Sequence, residues 1–175
     1  MGRPTRLRQT LIVKIISLTQ GQVALVDDED YARLNVHKWC AQKQPLKNRF
    51  IFYAVRCLPR LNGKRLRLNM HHEVLGITGL GIKVDHKNSN GLDNQKENLR
   101  PATRSQNSQN AQKAPNCSSK LKGVCWHKRR NKWNARIQLN GQRQSLGYFE
   151  SETDAGNAYD FAAKQKFREF ARPNK

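Results

Sequence analysis

Acidic residues are scarce in this chain. Asp and Glu number 13 against 33 Lys and Arg over 175 residues, a formal charge of +20. The deficit is not confined to one basic tail: residues 1–60 carry 11 basic and 4 acidic groups, residues 61–116 carry 9 and 4, and residues 117–175 carry 13 and 5. A surface so uniformly positive suits a polyanion, and a long nucleic-acid contact fits the spread better than a single tail would. A ribosomal-type or merely soluble basic protein shares this composition, which names a partner and no chemistry. Long apolar runs are also missing. None approaches the ~18 residues of a membrane helix, and the longest is broken by Lys14. The start, Met1-Gly2-Arg3-Pro4, lacks the apolar stretch of a secretory signal, so a protein neither membrane-bound nor secreted is expected. Aromatic residues make up only 7%, little for an RNA-stacking platform. Cys40, Cys57, Cys117 and Cys125 form no CxxC pair and no zinc-knuckle spacing with a His. Reduced thiols, with Cys125 packed on a strand, and no structural zinc are expected. With 37% hydrophobic residues, one or two small compact units are more natural than one large core.

The chain divides into an N-terminal β-rich region (1–69), a polar segment dense in His, Asn, Asp and Gly (70–113), a linker (114–121) and a C-terminal module (122–175). The first region predicts strands over Leu11–Leu18, Gln22–Val26, Phe50–Cys57 and Arg65–Asn69, with turns at Gln20-Gly21 and Asn62-Gly63. The acidic run Asp27–Asp30 suits the start of a short helix. The linker is marked by Ala114-Pro115-Asn116, and no internal repeat or low-complexity tract is evident.

The polar segment holds the unusual chemistry. Val84-Asp85-His86 ends an apolar strand and is followed by a long polar turn, Lys87 to Asn94. Glu97-Asn98-Leu99-Arg100 then leads into a short strand and a helix from Arg104 that carries Asn107 and Asn110. Neighbouring strand residues face opposite ways, but at a strand end the turning backbone can let Asp85 and His86 reach one cleft. An Asp carboxylate and an Asn amide offer the oxygen ligands that a hard divalent cation takes. A neutral His beside them is the natural base for a proton on water.

The string DHKNSNGLDNQKENLR at residues 85–100, with Asn107 nine residues after Asn98, resembles the HNH endonuclease motif in its variant with a third Asn. Met70-His71-His72-Glu73 extends the likeness upstream. The resemblance implies a β-hairpin and helix around one metal ion. It implies His86 as general base, Asp85 and Asn107 as metal ligands, Asn98 as a brace for the loop and His71 in a supporting role. Arg100 and Arg104 would hold flanking phosphates. Asn at the third position favours Mg2+, with Mn2+ as an option, over zinc. Asn110, one helical turn beyond Asn107, is the alternative ligand.

In the C-terminal module, Lys122 to Lys128, Lys132 to Ile137 and Gly141 to Phe149 read as three strands, with turns near Arg130-Asn131 and Asn140-Gly141. A helix follows from Ser151, with Ala155, Ala158, Tyr159, Ala162 and Ala163 on its inner face. Lys122-Gly123-Val124-x-Trp126, Trp133-x-Ala135-x-Ile137, Leu146-Gly147-x-Phe149, Ala155–Asp160 and the closing Phe170-Ala171-Arg172-x-Asn174 resemble the DNA-binding domain of plant ethylene-response factors. That likeness implies a sheet lying in the major groove of duplex DNA. By position the contacts would be Trp126, Lys128, Arg130, Trp133, Arg136, Gln138 and Arg143, with Arg136 and Arg143 at guanine edges and the lysines at phosphates.

The expected architecture is therefore α+β: a β-rich region, a central ββα-metal hairpin and helix, and a three-stranded antiparallel sheet packed on one helix. The expected activity is metal-dependent cutting of double-stranded DNA by a monomer or weak dimer, resembling free-standing homing-type HNH nucleases of phage or mobile elements and acting on DNA in the cytoplasm of a host cell. A non-catalytic DNA-binding regulator is the alternative, and an RNA-binding protein ranks last. The N-terminal region would support the nuclease hairpin and add phosphate contacts through Arg56, Arg60, Arg65 and Arg67.

Overall fold

The computed structural model describes residues 12–46, 49–60, 62–63, 65–77, 81–113, 118–139 and 141–174. Leu11, Asn140, Cys117 and the linker centre at 114–116 lie outside the described residues. The chain is mixed α+β, with several small antiparallel sheets. It forms two compact units: residues 1–44, 52–78 and 91–99 in one, and residues 45–51, 79–90 and 100–175 in the other.

In the first unit, β1 (Val13–Ser17) pairs with β2 (Val23–Asp27) in the register Val13↔Asp27 to Ser17↔Val23. The turn between them needs positive φ at Gln20 and Gly21. The acidic run opens α1 (Asp28–Asn35) as its charge pattern predicts, and the indole of Trp39 closes the helix by donating to the Leu34 carbonyl at 2.8 Å. A sheet follows in the order β3 (Cys40–Leu46), β4 (Arg49–Cys57), β5 (Arg67–Asn69). Strand β3 was not expected, because CAQKQPL carries polar residues and a Pro where a strand signal would be apolar. Helix α2 (Met70–Val74) buries Met70, His71 and Val74. The segment before β7 is fastened to β2: Leu25 donates to the Leu92 carbonyl at 2.9 Å, and Asn94 donates back to the Leu25 carbonyl at 2.8 Å.

In the second unit, β6 (Lys83–His86) pairs with β7 (Leu99–Ala102), and α3 (Arg104–Asn110) follows. Thr103 and Gln106 form a reciprocal capping box that fixes where α3 begins. The antiparallel sheet β10–β9–β8 comprises β8 (Val124–His127), β9 (Lys132–Leu139) and β10 (Gln142–Phe149). Helix α4 (Glu152–Phe167) packs on it, capped by the Ser151 hydroxyl, which accepts from the Asp154 amide at 3.0 Å. The inner face of α4 is as the small-residue spacing predicts: Ala155, Tyr159, Ala162 and Ala163 are buried, with Ala158 half-buried. Ile137, Tyr159, Phe167 and Phe170 form the core, joined by Ala102 from β7. Burying each large side chain stabilises by ~1.5–3 kcal/mol. Among the described residues no helix is long and apolar enough to cross a membrane.

Candidate active site

Asp85 and His86 end β6, and both are buried, at 3% and 5% exposure. A buried carboxylate is costly unless its oxygens are satisfied, and here both are. Oδ1 accepts from the side-chain amide of Asn110 at 2.9 Å. Oδ2 accepts from Arg100 Nε at 2.8 Å and Nη2 at 2.6 Å. The same Asn110 amide donates to the His86 carbonyl at 3.0 Å and, at 3.4 Å, to that of Lys87. The last residue of α3 thus holds the Asp85 side chain and the backbone that carries His86.

Asn107, one turn earlier on α3, faces solvent, whereas Asn110 is buried on Asp85. The three-residue spacing makes them neighbours along the helix, yet only Asn110 is buried. Arg100, expected at a flanking phosphate, is placed elsewhere. Its side chain is 11% exposed, Nη1 donates to the Glu169 carbonyl at 2.5 Å, and its guanidinium lies 3.8 Å from the Phe170 ring centroid. Arg104 is exposed at the start of α3. Asp85 and Asn107 each carry an oxygen of the kind a hard cation takes, and the Asp85 oxygens are already engaged by Asn110 and Arg100.

The other expected residues lie in the first unit. Asn98 is half-buried, and its amide donates to the Asp93 carbonyl at 2.8 Å, bracing the turn that leads into β7. His71 is buried at 7% exposure, its ring edge-on to Tyr53 at 5.8 Å and to His72 at 4.7 Å. Asp27, Glu29 and Asp30 bring three carboxylates together, but cations and amides of the chain already occupy them. Lys96 pairs with Glu29 and Asp30, Arg33 with Asp30, and Asp27 accepts the Lys96 amide at 2.8 Å.

The C-terminal sheet sorts its candidates by face. On β9, Trp133, Ala135 and Ile137 point to α4, while Arg136 and Gln138 are exposed on the opposite side. Cross-strand pairing puts Trp126 opposite Trp133, on the packing side. It puts Arg143 opposite Gln138, on the open side. Lys128 and Arg130 are exposed in the turn after β8, and the Arg130 guanidinium lies 4.5 Å from the Tyr148 ring centroid. His127 meets Tyr148 edge-on at 5.1 Å. Sequence reading left out His127 and Tyr148 as members of the open face, although strict alternation from Arg136 and the pairing of Tyr148 with Asn134 indicate them. Arg104, Lys122, Arg136 and Gln138 line a cleft of about 630 Å3 with no carboxylate among its described lining residues. Lys122 donates there to the Gln109 and Ala111 carbonyls at 2.6 and 2.7 Å. Burial, and secondarily Arg172, lower its pKa to about 8.

Over 94 residues the chain is 38% identical to an uncharacterized HNH endonuclease of Acanthamoeba polyphaga mimivirus, an alignment taking in 54% of this chain and 48% of that protein. The chain therefore spans about half the length of the curated relative it matches. No protein-family model matches the chain, and no solved structure matches it.

Proposed function

We propose that this chain is a metal-dependent, site-preferring endonuclease of the homing type that hydrolyses phosphodiester bonds in double-stranded DNA. The observation that carries the reading is the buried Asp85–His86 strand end, gripped by Asn110 of the helix that follows a two-stranded hairpin. The partial likeness to a protein named an HNH endonuclease supports it. His86 accepts the proton of the attacking water through its imidazole. Asp85 and Asn107 would hold Mg2+ or Mn2+, which when bound supplies charge stabilisation to the phosphate and the departing oxygen. Asn98 keeps the turn before β7 in shape. His71 receives no step.

The three-stranded sheet, by its resemblance to the ethylene-response-factor domain, is the DNA-docking module. Arg136, Gln138 and Arg143 on its open face are the candidates for base edges, while Lys128, Arg130 and Arg104 are candidates for phosphates. Trp126 and Trp133 support the sheet from behind.

One observation favours a second reading, a non-catalytic DNA-binding regulator: both oxygens of Asp85 are engaged, one of them in an ion pair with Arg100, as a purely structural carboxylate would be. Cleavage of supercoiled plasmid in Mg2+ separates the two. Nicked or linear product that disappears with His86→Ala and with EDTA establishes the nuclease. Duplex binding without cutting in Mg2+ or Mn2+ gives the regulator.

A further inference from the structure

Asp85 does not choose its own orientation. Its two oxygens are taken from opposite sides, Oδ1 by Asn110 of α3 and Oδ2 by the Nε and Nη2 of Arg100 from β7. Arg100 is in turn fixed from a distant part of the sequence. Its Nη1 donates to the Glu169 carbonyl, and its guanidinium carbon stands over the Phe170 ring, 3.8 Å from the centroid. Phe170 is itself buried at 6% among Ala102, Ile137, Tyr159 and Phe167, so the ring is a rigid stop. A guanidinium held on a ring face, a carbonyl and a carboxylate at once has little freedom left to turn.

We propose that Asn110 and Arg100 are positioning residues that aim the Asp85 carboxylate at a divalent cation, and that the single turn Arg168–Phe170 after α4 is thereby a working part of the same centre. The proposal rests on the reading of Asp85 as a metal ligand. Three features make it more than packing. Asn110 binds the Asp85 side chain and the His86 carbonyl with one amide, so the ligand and the proposed base are fixed relative to each other. A carboxylate left to rotate would have to be ordered by the ion itself, at the expense of affinity. Arg100 repels an arriving cation, so its place beside Asp85 serves to orient the oxygen rather than to attract the ion.

The test is Mn2+ binding to the full chain, followed by electron paramagnetic resonance, with circular dichroism verifying the fold of every variant at the assay temperature. Wild type binds and Asp85→Asn does not. Asn110→Ala and Arg100→Lys weaken Mn2+ by about 10- to 100-fold, the range found when outer-shell partners of a metal ligand are removed. Phe170→Leu, which keeps an apolar side chain and loses only the ring face, weakens it in the same direction. In plasmid cleavage the same variants need more Mn2+ for half-maximal rate but recover their rate when the ion is saturating, a split that a merely unstable protein would not show. Should Asn110→Ala and Phe170→Leu bind Mn2+ as wild type does while Asp85→Asn loses it, the positioning role is overturned and the metal centre stands. If wild type binds no Mn2+, or Asp85→Asn binds it unchanged, the metal centre falls and this inference with it.

Discussion

Trp126 and Trp133 stand directly opposite each other on neighbouring strands, their ring centroids 5.0 Å apart and their planes at 70°. Edge-on aromatic pairs of this kind contribute ~0.5–1.5 kcal/mol beyond their burial. Because the pair lies on the side of β9 that carries Ala135 and Ile137, its work is to hold the sheet on α4.

The two faces of β9 should therefore separate in experiment. Trp133→Ala is expected to destabilise the fold by about 3 kcal/mol in urea unfolding. Arg136→Ala and Arg143→Ala should leave stability within ~0.5 kcal/mol. Each of them should weaken duplex DNA binding, and one that meets a phosphate should reduce the slope of log affinity against log salt by about 1. A wild-type affinity in both arginine variants would show that the open face does not meet DNA.

Gly123 adjoins the ring of Tyr159 so closely that an added Cβ would overlap Cδ2, and its φ of +76° is a conformation that other residues adopt at a cost. Gly123→Ala is expected to lose about 2–4 kcal/mol, combining overpacking with backbone strain. Gly141, also at positive φ but with open space around it, is the control, and Gly141→Ala should cost about 1 kcal/mol. Equal losses at the two glycines, read from denaturant midpoints, would refute the close approach to Tyr159.

Lys122 gives the second unit a pH response. Burial lowers its folded pKa to about 8 from the ordinary 10.5, so between those values the unfolded chain binds more protons than the folded one. Stability from this group therefore rises as pH increases from about 8 to about 10.5, and it is constant below pH 8, where the lysine is protonated in both states. Lys122→Met should abolish that rise. It should also lower stability at pH 7 by freeing the Gln109 and Ala111 carbonyls at the end of α3. Melting curves of both proteins from pH 7 to 10.5 decide it, and parallel curves would remove Lys122 as the source.

Much of the fold was legible because local signals agreed with the final packing. The acidic start of α1, the alternation along β9 and the small inner face of α4 each state their structure in neighbouring residues. The candidate centre was legible in part. The order Asp85, His86, Asn98, Asn107 points to this stretch, and the structure places Asp85 and His86 together, buried at a strand end. What the sequence does not carry is the choice between Asn107 and Asn110. Both belong to SQNSQN, and only the turn that buries Asn110 against Asp85 distinguishes them. The partnership of Arg100 with Glu169 and Phe170 was equally hidden, because it joins residues about 70 positions apart through backbone and ring contacts that leave no local pattern. The side of the sheet taken by Trp126 and Trp133 was not legible for a related reason: an aromatic residue beside basic ones suits either face until the strand register is known.

The acidic cluster of the first unit offers a sharp contrast between carboxylates of different burial. Asp27 is 4% exposed, and its Oδ2 accepts the Lys96 amide at 2.8 Å while Oδ1 takes the Gln95 side chain at 3.4 Å. Glu29, two residues on, is exposed and pairs with the Lys96 ammonium at the surface. Asp27→Ala strands a backbone donor in the segment that runs into β7 and should cost about 2–3 kcal/mol, since hydrogen bonds to a charged acceptor are among the stronger ones. Glu29→Ala removes a surface ion pair and should cost no more than ~1 kcal/mol, shrinking further in high salt. Urea unfolding at low and high salt measures both. If the two variants lose the same stability, the carboxylate of Asp27 is not what fastens residues 95–96 to the end of β2.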